Sequence, residues 1–147
     1  RQRQMCIRDS HLTENGVMVV NMNMRGSGEG NINQYLADTI ASVFGTVYTA
    51  DVKGSTNREL FASNQEDMLD TLKNNAGNLA NADLQNMMLA VADTSTQYDG
   101  GDYIMTDDKA PVELLGMQVI DQVIKEEVAY YKGIYEEQGL DGLLQSL

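Results

Sequence analysis

The chain has 147 residues, with 10 Lys and Arg against 22 Asp and Glu, a formal net charge of −12, one cysteine and one histidine. That length suits one domain of ordinary size, and the negative balance excludes nucleic acid and an anionic membrane surface as main partners, because both demand clustered positive charge. A single cysteine rules out an internal disulfide, and no run of 18 apolar residues is present to span a membrane.

The first ten residues, RQRQMCIRDS, show neither strand nor helix periodicity and lack the apolar core of a signal peptide. They resemble translated sequencing-adaptor read-through. Residues 1–10 are therefore expected to stand outside the fold, and Cys6 with them, leaving 11–147 as the protein proper. Glu14–Met24 then opens on an Asn15-Gly16 turn and continues as an almost uninterrupted apolar run. Val17, Val19 and Val20 favour strand, and the lack of alternation predicts burial on both faces, as in a parallel sheet. Arg25–Gly30 is a Gly-rich loop. Asn31–Gly45 reads as an amphipathic helix, with Ile32, Leu36, Ile40, Val43 and Phe44 on one stripe, Asn31 as its cap and Gly45 as its stop.

Thr46–Val52 alternates and is rich in β-branched and aromatic residues, and after the turn KGSTN Arg58–Asn64 reads as a returning strand, which predicts an antiparallel hairpin. Gln65–Val91 is predicted to be helical in two pieces broken near Gly77. Thr94–Asp102 reads as a solvated linker and Tyr103–Met105 as a brief strand. Pro111 suits the first position of a long helix on which Val112, Leu115, Val119, Ile120, Val123, Ile124 and Tyr131 recur at helical spacing. Its tyrosines are expected to pack partly against the sheet, and Gly139 to stop it before a short tail helix. Met87, Met88, Met105 and Met117 fit as core filler. A strand buried on both faces needs neighbours on both sides, and too few strands follow. The missing ones are expected upstream of Leu12.

Three features invite chemistry. Gly26-x-Gly28-x-Gly30 follows a strand and precedes a helix, but Asn31 stands where a dinucleotide fingerprint wants glycine, so it reads as a mobile connection. Its position still counts, since open α/β sheets bind ligands at the C-terminal ends of parallel strands. Asn21, Asn23 and Arg25 are accordingly the residues predicted to line a pocket there. His11 has no second ligand beside it, so no metal site is expected, and no Ser-His-Asp or Cys-His set can be assembled. TDDKAPVE, Thr106–Glu113, is a well-made helix start: an aspartate cap, Pro111, and Glu113 at the positive end of the dipole. A cap needs only one acid, however, and two adjacent aspartates repel unless solvent or a cation relieves them.

At these residues the chain resembles a family. HLTENGVMVVNMNM, TIASVFGTVYTADV and YIMTDDKAPVELLGMQVIDQVI together resemble the C-terminal half of spermidine-synthase-like proteins, which are aminopropyltransferase homologues with the S-adenosylmethionine-dependent methyltransferase fold. The resemblance covers residues 11–147 and implies an α/β, Rossmann-like sheet with Gly16–Met24 as its fifth strand. The hairpin would close that sheet, its last strand inserting antiparallel between the fifth and sixth. It also implies that the cofactor loop and catalytic acid lie upstream. No catalytic residue and no bound cofactor are expected in this segment, which should be inactive alone, while the full-length parent would use decarboxylated S-adenosylmethionine, or S-adenosylmethionine. Only TDDKAPVE carries over, making Asp107, Asp108 and Glu113 the residues expected to meet a small cationic amine. The parent is expected to be a cytoplasmic enzyme transferring an aminopropyl group to a polyamine, and to form a homodimer. The alternatives are a methyltransferase of the same superfamily, a non-catalytic or membrane-fused homologue, and a stand-alone acidic interaction module.

Overall fold

The structure, a computed structural model, describes residues 2–22, 29–106, 108 and 112–146. The chain divides into two compact units, Arg1–Ala110 and Pro111–Leu147. The elements of the first are α1 (Gln2–Ser10), β1 (Met18–Met22), α2 (Ile32–Ala41), β2 (Thr46–Asp51), β3 (Arg58–Ser63), α3 (Met68–Gly77), α4 (Ala82–Thr94) and β4 (Thr96–Gln97).

The strands form one sheet in the order β1-β3-β2-β4. β3 lies between β1 and β2 and is antiparallel to both, with Val20 opposite Leu60 on one side and Thr49 opposite Leu60 on the other. β1 and β2 therefore run the same way, joined by the α2 crossover, with the returning hairpin strand inserted between them. Local chemistry explains each part. The Asn31 side chain accepts from the amides of Asn33 at 2.9 Å and Gln34 at 3.1 Å, which satisfies two of the donors orphaned at the start of α2. The hairpin closes through the Val52 amide on the Asn57 carbonyl at 3.0 Å, and Gly54 supplies the positive φ of 74° in its turn. The apolar stripe of α2 packs Ala37, Ile40 and the following Phe44 against Met22, Val47, Leu60 and Ala62. α2 ends at Ala41, before Gly45, whose amide turns to the Asn64 side chain at 3.2 Å.

Several expectations need correction. β1 is not held as a parallel strand: its described pairing is with β3, and every described pairing in the sheet is antiparallel. Nor is it buried on both faces, since Val19 is 57% exposed whereas Met22 is buried. One face lies on the core shared with α2. Over the other, α3 and α4 leave an apolar cavity of about 420 Å³ lined by Val17, Val19, Tyr48, Phe61, Leu72 and Met88, among others. Residues 2–10 do not stand outside the fold. They form α1 and place Met5 in the core cluster, although Met5 is the only buried residue among the helix's described side chains. Thr94–Asp102 is more than a linker, because it carries β4, and the Tyr98 amide bonds the Val47 carbonyl at 2.9 Å. Tyr103–Met105 is not a strand, as two of its amides go to α2 side chains instead of a neighbouring strand. Of the methionines read as core filler, Met105 is buried, but Met87 and Met117 are exposed.

The second unit is α5 (Val112–Ser146). Gly139, at φ 68° and ψ −164°, interrupts it and separates a tail helix, as its sequence implied. Leu115 and Val119 are buried, whereas Tyr130 and Tyr135 are exposed. Tyr130 is thus not packed on a sheet; it meets Tyr131 edge-on, with ring centres 5.3 Å apart. Pro111, the predicted first residue of this helix, lies outside the described residues. Among the described residues no helix is long and apolar enough to cross a membrane.

Candidate functional site

A cavity of about 220 Å³ opens at the C-terminal end of β1. Met22 enters it from the strand, Asn31, Asn33, Gln34 and Ala37 from the start of α2, Thr49 and Arg58 from the hairpin, and Tyr98 from just beyond β4. Each is placed by an element already accounted for. Met22 is the last residue of β1, the Asn31 cap fixes the first turn of α2, and Arg58 opens β3 opposite Asp51. Arg58 Nε reaches Asp51 Oδ1 at 2.6 Å and its Nη2 reaches Oδ2 at 3.3 Å, a two-point pair. The bond to Asp51 raises the guanidinium's already high pKa, with burial acting the other way. Both side chains are well exposed, so the pair adds at most about 1 kcal/mol to stability.

Behind the wall of this cavity lies Asp38 of α2, only 1% exposed. Its Oδ1 accepts a short hydrogen bond from the Tyr98 hydroxyl, and its Oδ2 accepts from the Tyr103 amide at 2.9 Å. Burial, and then this bond to Asp38, push the Tyr98 phenol well above its ordinary pKa. Thr39, fully buried, accepts from the Met105 amide at 2.8 Å and donates to the Tyr35 carbonyl at 2.5 Å. Tyr103 donates to Glu29 at 2.9 Å, a bond that raises its own pKa, and stands edge-on to Tyr35 at 5.0 Å. Gly101 passes so close that a Cβ there would sit 2.8 Å from Asp38 Oδ2.

The residues singled out from sequence fall differently. Asn21 is exposed and stands opposite Glu59 in the ladder, while its neighbour Met22 faces the cavity. A strand turns alternate side chains to opposite faces, so only one of the two can do so. Asn23, Arg25 and Asp107 lie outside the described residues. Asp108 is exposed at the end of the first unit, and Glu113 is exposed in the first turn of α5 in the second. Among the described residues no group of three or more His, Cys, Asp and Glu could hold a metal ion. Cys6 and His11 are exposed. The lining offers amides, hydroxyls and one paired guanidinium, a set suited to binding and orienting a polar ligand.

Sequence reading missed Asp38, Thr39, Arg58 and Tyr98. One signal was present: Gly100-Gly101, inside a stretch read as linker, allows the chain to pass tightly against α2.

No family model and no solved structure matches this chain. A curated relative does: it is 45% identical over 154 residues to a protein of Bifidobacterium longum (strain NCC 2705) named a probable polyamine aminopropyl transferase. The match takes in 93% of this chain and 34% of that protein, so the chain spans about a third of the relative's length. Over the stretch they share, the chain is similar to this protein of the polyamine aminopropyl transferase, or spermidine synthase, family.

Proposed function

We propose that the whole protein transfers an aminopropyl group from decarboxylated S-adenosylmethionine to a polyamine, and that this chain serves the amine side of the site. The 45% identity to a protein named a probable polyamine aminopropyl transferase carries this reading. The fold supports it. β1, α2 and β2 make a crossover between two strands of the same direction, and the cavity opens where such strands end. We infer that the sheet continues as a Rossmann-like one beyond β1.

The described lining does not make a nucleoside site. Asp51 is committed to Arg58 and is not set to bridge a ribose, the Asn31 side-chain oxygen accepts from amides at the start of α2, and that of Gln34 accepts from the Gly30 amide. No residue here is therefore assigned to the aminopropyl donor. The acids after Thr106 are assigned to the acceptor. An amine with two or three positive charges is drawn to carboxylates, and Asp108 and Glu113, one in each unit, are each exposed.

The test uses the full-length protein, a panel of di- and triamines, and decarboxylated S-adenosylmethionine. Amine-dependent formation of the aminopropylated product is expected. Methylated amine formed from S-adenosylmethionine, or no product at all, would overturn the reading. Replacing Asp107 and Asp108 together by Asn is expected to raise the amine KM several-fold with kcat largely kept, because uniform binding is what the acids supply. An unchanged KM would end their substrate role.

A further inference from the structure

A second polar cavity, of about 360 Å³, adjoins the one at the end of β1: Thr49 and Arg58 line both, and Asp51, Thr94 and Thr96 complete it. Among the described residues Asp51 is the one acid in the lining of either cavity. The remaining lining suits a cation. Thr94 spends its hydroxyl hydrogen on the Ala90 carbonyl at 2.8 Å, which leaves its oxygen to accept. Thr49 stands opposite Thr96 where β2 pairs with β4, and cross-strand partners share a face of the sheet, so two more hydroxyls meet there. A primary ammonium carries three N–H donors and no acceptor, and a carboxylate beside several hydroxyl oxygens matches that pattern. In the structure the carboxylate is held by Arg58, whose Nε and Nη2 take its two oxygens at 2.6 and 3.3 Å. Both side chains are well exposed, so breaking the pair costs a factor of about five at most.

We propose that Asp51 receives a terminal ammonium of the acceptor amine, and that Arg58 is its internal counter-ion, which the amine displaces. This rests on the reading that the chain serves the amine side of the site, and it does not depend on the acids after Thr106. A neutral ribose hydroxyl has no charge to exchange for the guanidinium, whereas an ammonium replaces one cation by another. Arg58 thus keeps the carboxylate paired in the empty site and sets a threshold that only a cationic group passes. Two opposite effects on affinity follow. Loss of the carboxylate weakens amine binding and leaves the Arg58 charge to repel the ligand, while loss of Arg58 removes both the competitor and that repulsion.

The experiment titrates 1,4-diaminobutane into the full-length protein by calorimetry, alongside the product assay with decarboxylated S-adenosylmethionine. Asp51→Asn is expected to raise the Kd about tenfold. Arg58→Gln is expected to lower it, by about fivefold at most. Both variants break the same ion pair, so a pair that only braces the hairpin would move the Kd one way in both, and that result overturns the proposal. Lys53→Gln and Asp99→Asn make the same changes of charge at exposed positions outside both linings. In about 0.15 M salt, where exposed charges more than about 8 Å apart are largely screened, they are expected to leave the Kd within about twofold. Shifts in these two as large as those at Asp51 and Arg58 would assign the effect to overall charge and likewise overturn the proposal. A Kd unchanged in Asp51→Asn, in a wild type that aminopropylates the diamine, overturns the site and leaves the functional reading standing. A wild type that shows the expected binding pattern and forms no aminopropylated amine does the reverse: the cation site stands and the functional reading falls.

Discussion

Tyr98 gives the clearest case of a residue whose protonation is tied to the fold. Burial and the bond to Asp38 both favour its neutral phenol, so its folded pKa lies above the ordinary 10.0 that it has when unfolded. The unfolded chain therefore loses this proton first as pH rises. Stability from Tyr98 is fully present below pH 10.0 and falls as pH climbs from there toward the folded value. Urea titrations above pH 10 should show stability declining with pH in the wild type, and declining less steeply in Tyr98→Phe. Equal slopes would mean that the Asp38 bond does not persist in solution. Neither residue could be found by pattern. Their bond spans 60 positions, and those from Tyr103 and Met105 to α2 span 65 and 66. By contrast Asn31 was legible as a cap, because its partners are two and three residues away.

Elements whose causes are local were read well, and those defined by their neighbours were not. The hairpin of β2 and β3, the α3–α4 break after Gly77 and the stop at Gly139 follow from turn residues, alternation and glycine. The state of β1 did not, because an apolar run says that a strand can be buried and leaves open how many layers cover it. Tyr103–Met105 was misread for the same reason: β-branched and aromatic residues suggest strand, but two of its amides found Asp38 and Thr39. Gly139 offers an element-level test. Its φ of 68° and ψ of −164° lie in a region essentially confined to glycine, where another residue pays about 1–3 kcal/mol. Alanine is also about 1 kcal/mol better than glycine inside a helix. Gly139→Ala should therefore straighten the joint and run α5 through into its tail, seen as a gain in far-ultraviolet helical signal. An unchanged or weaker signal would show that contacts beyond the backbone hold the break.

At the scale of the molecule, charge and an apolar strand pull in opposite directions. A formal net charge of −12 on 147 residues keeps copies apart in dilute salt. Against this, Val17, just before β1, and Val19 on it are 42% and 57% exposed and line an apolar cavity, and among the described residues only one edge of that strand is paired. A strand with an open edge and an apolar face is a template for pairing with another chain, and lysine on such a strand is an effective block. Repulsion between copies has a range of about 10 Å at 0.1 M salt and about 3 Å at 1 M. The 147-residue chain should therefore self-associate increasingly as salt is raised, by light scattering at fixed protein concentration. Val19→Lys should suppress that rise while shifting the urea midpoint little, since an exposed position away from the core is worth within about 0.5 kcal/mol. The same substitution at Val20, which packs against the core, should instead destabilise the sheet. If Val19→Lys associates as readily as the wild type at every salt concentration, the edge of β1 is not the route, and the apolar residues exposed along α5 become the surface to substitute next.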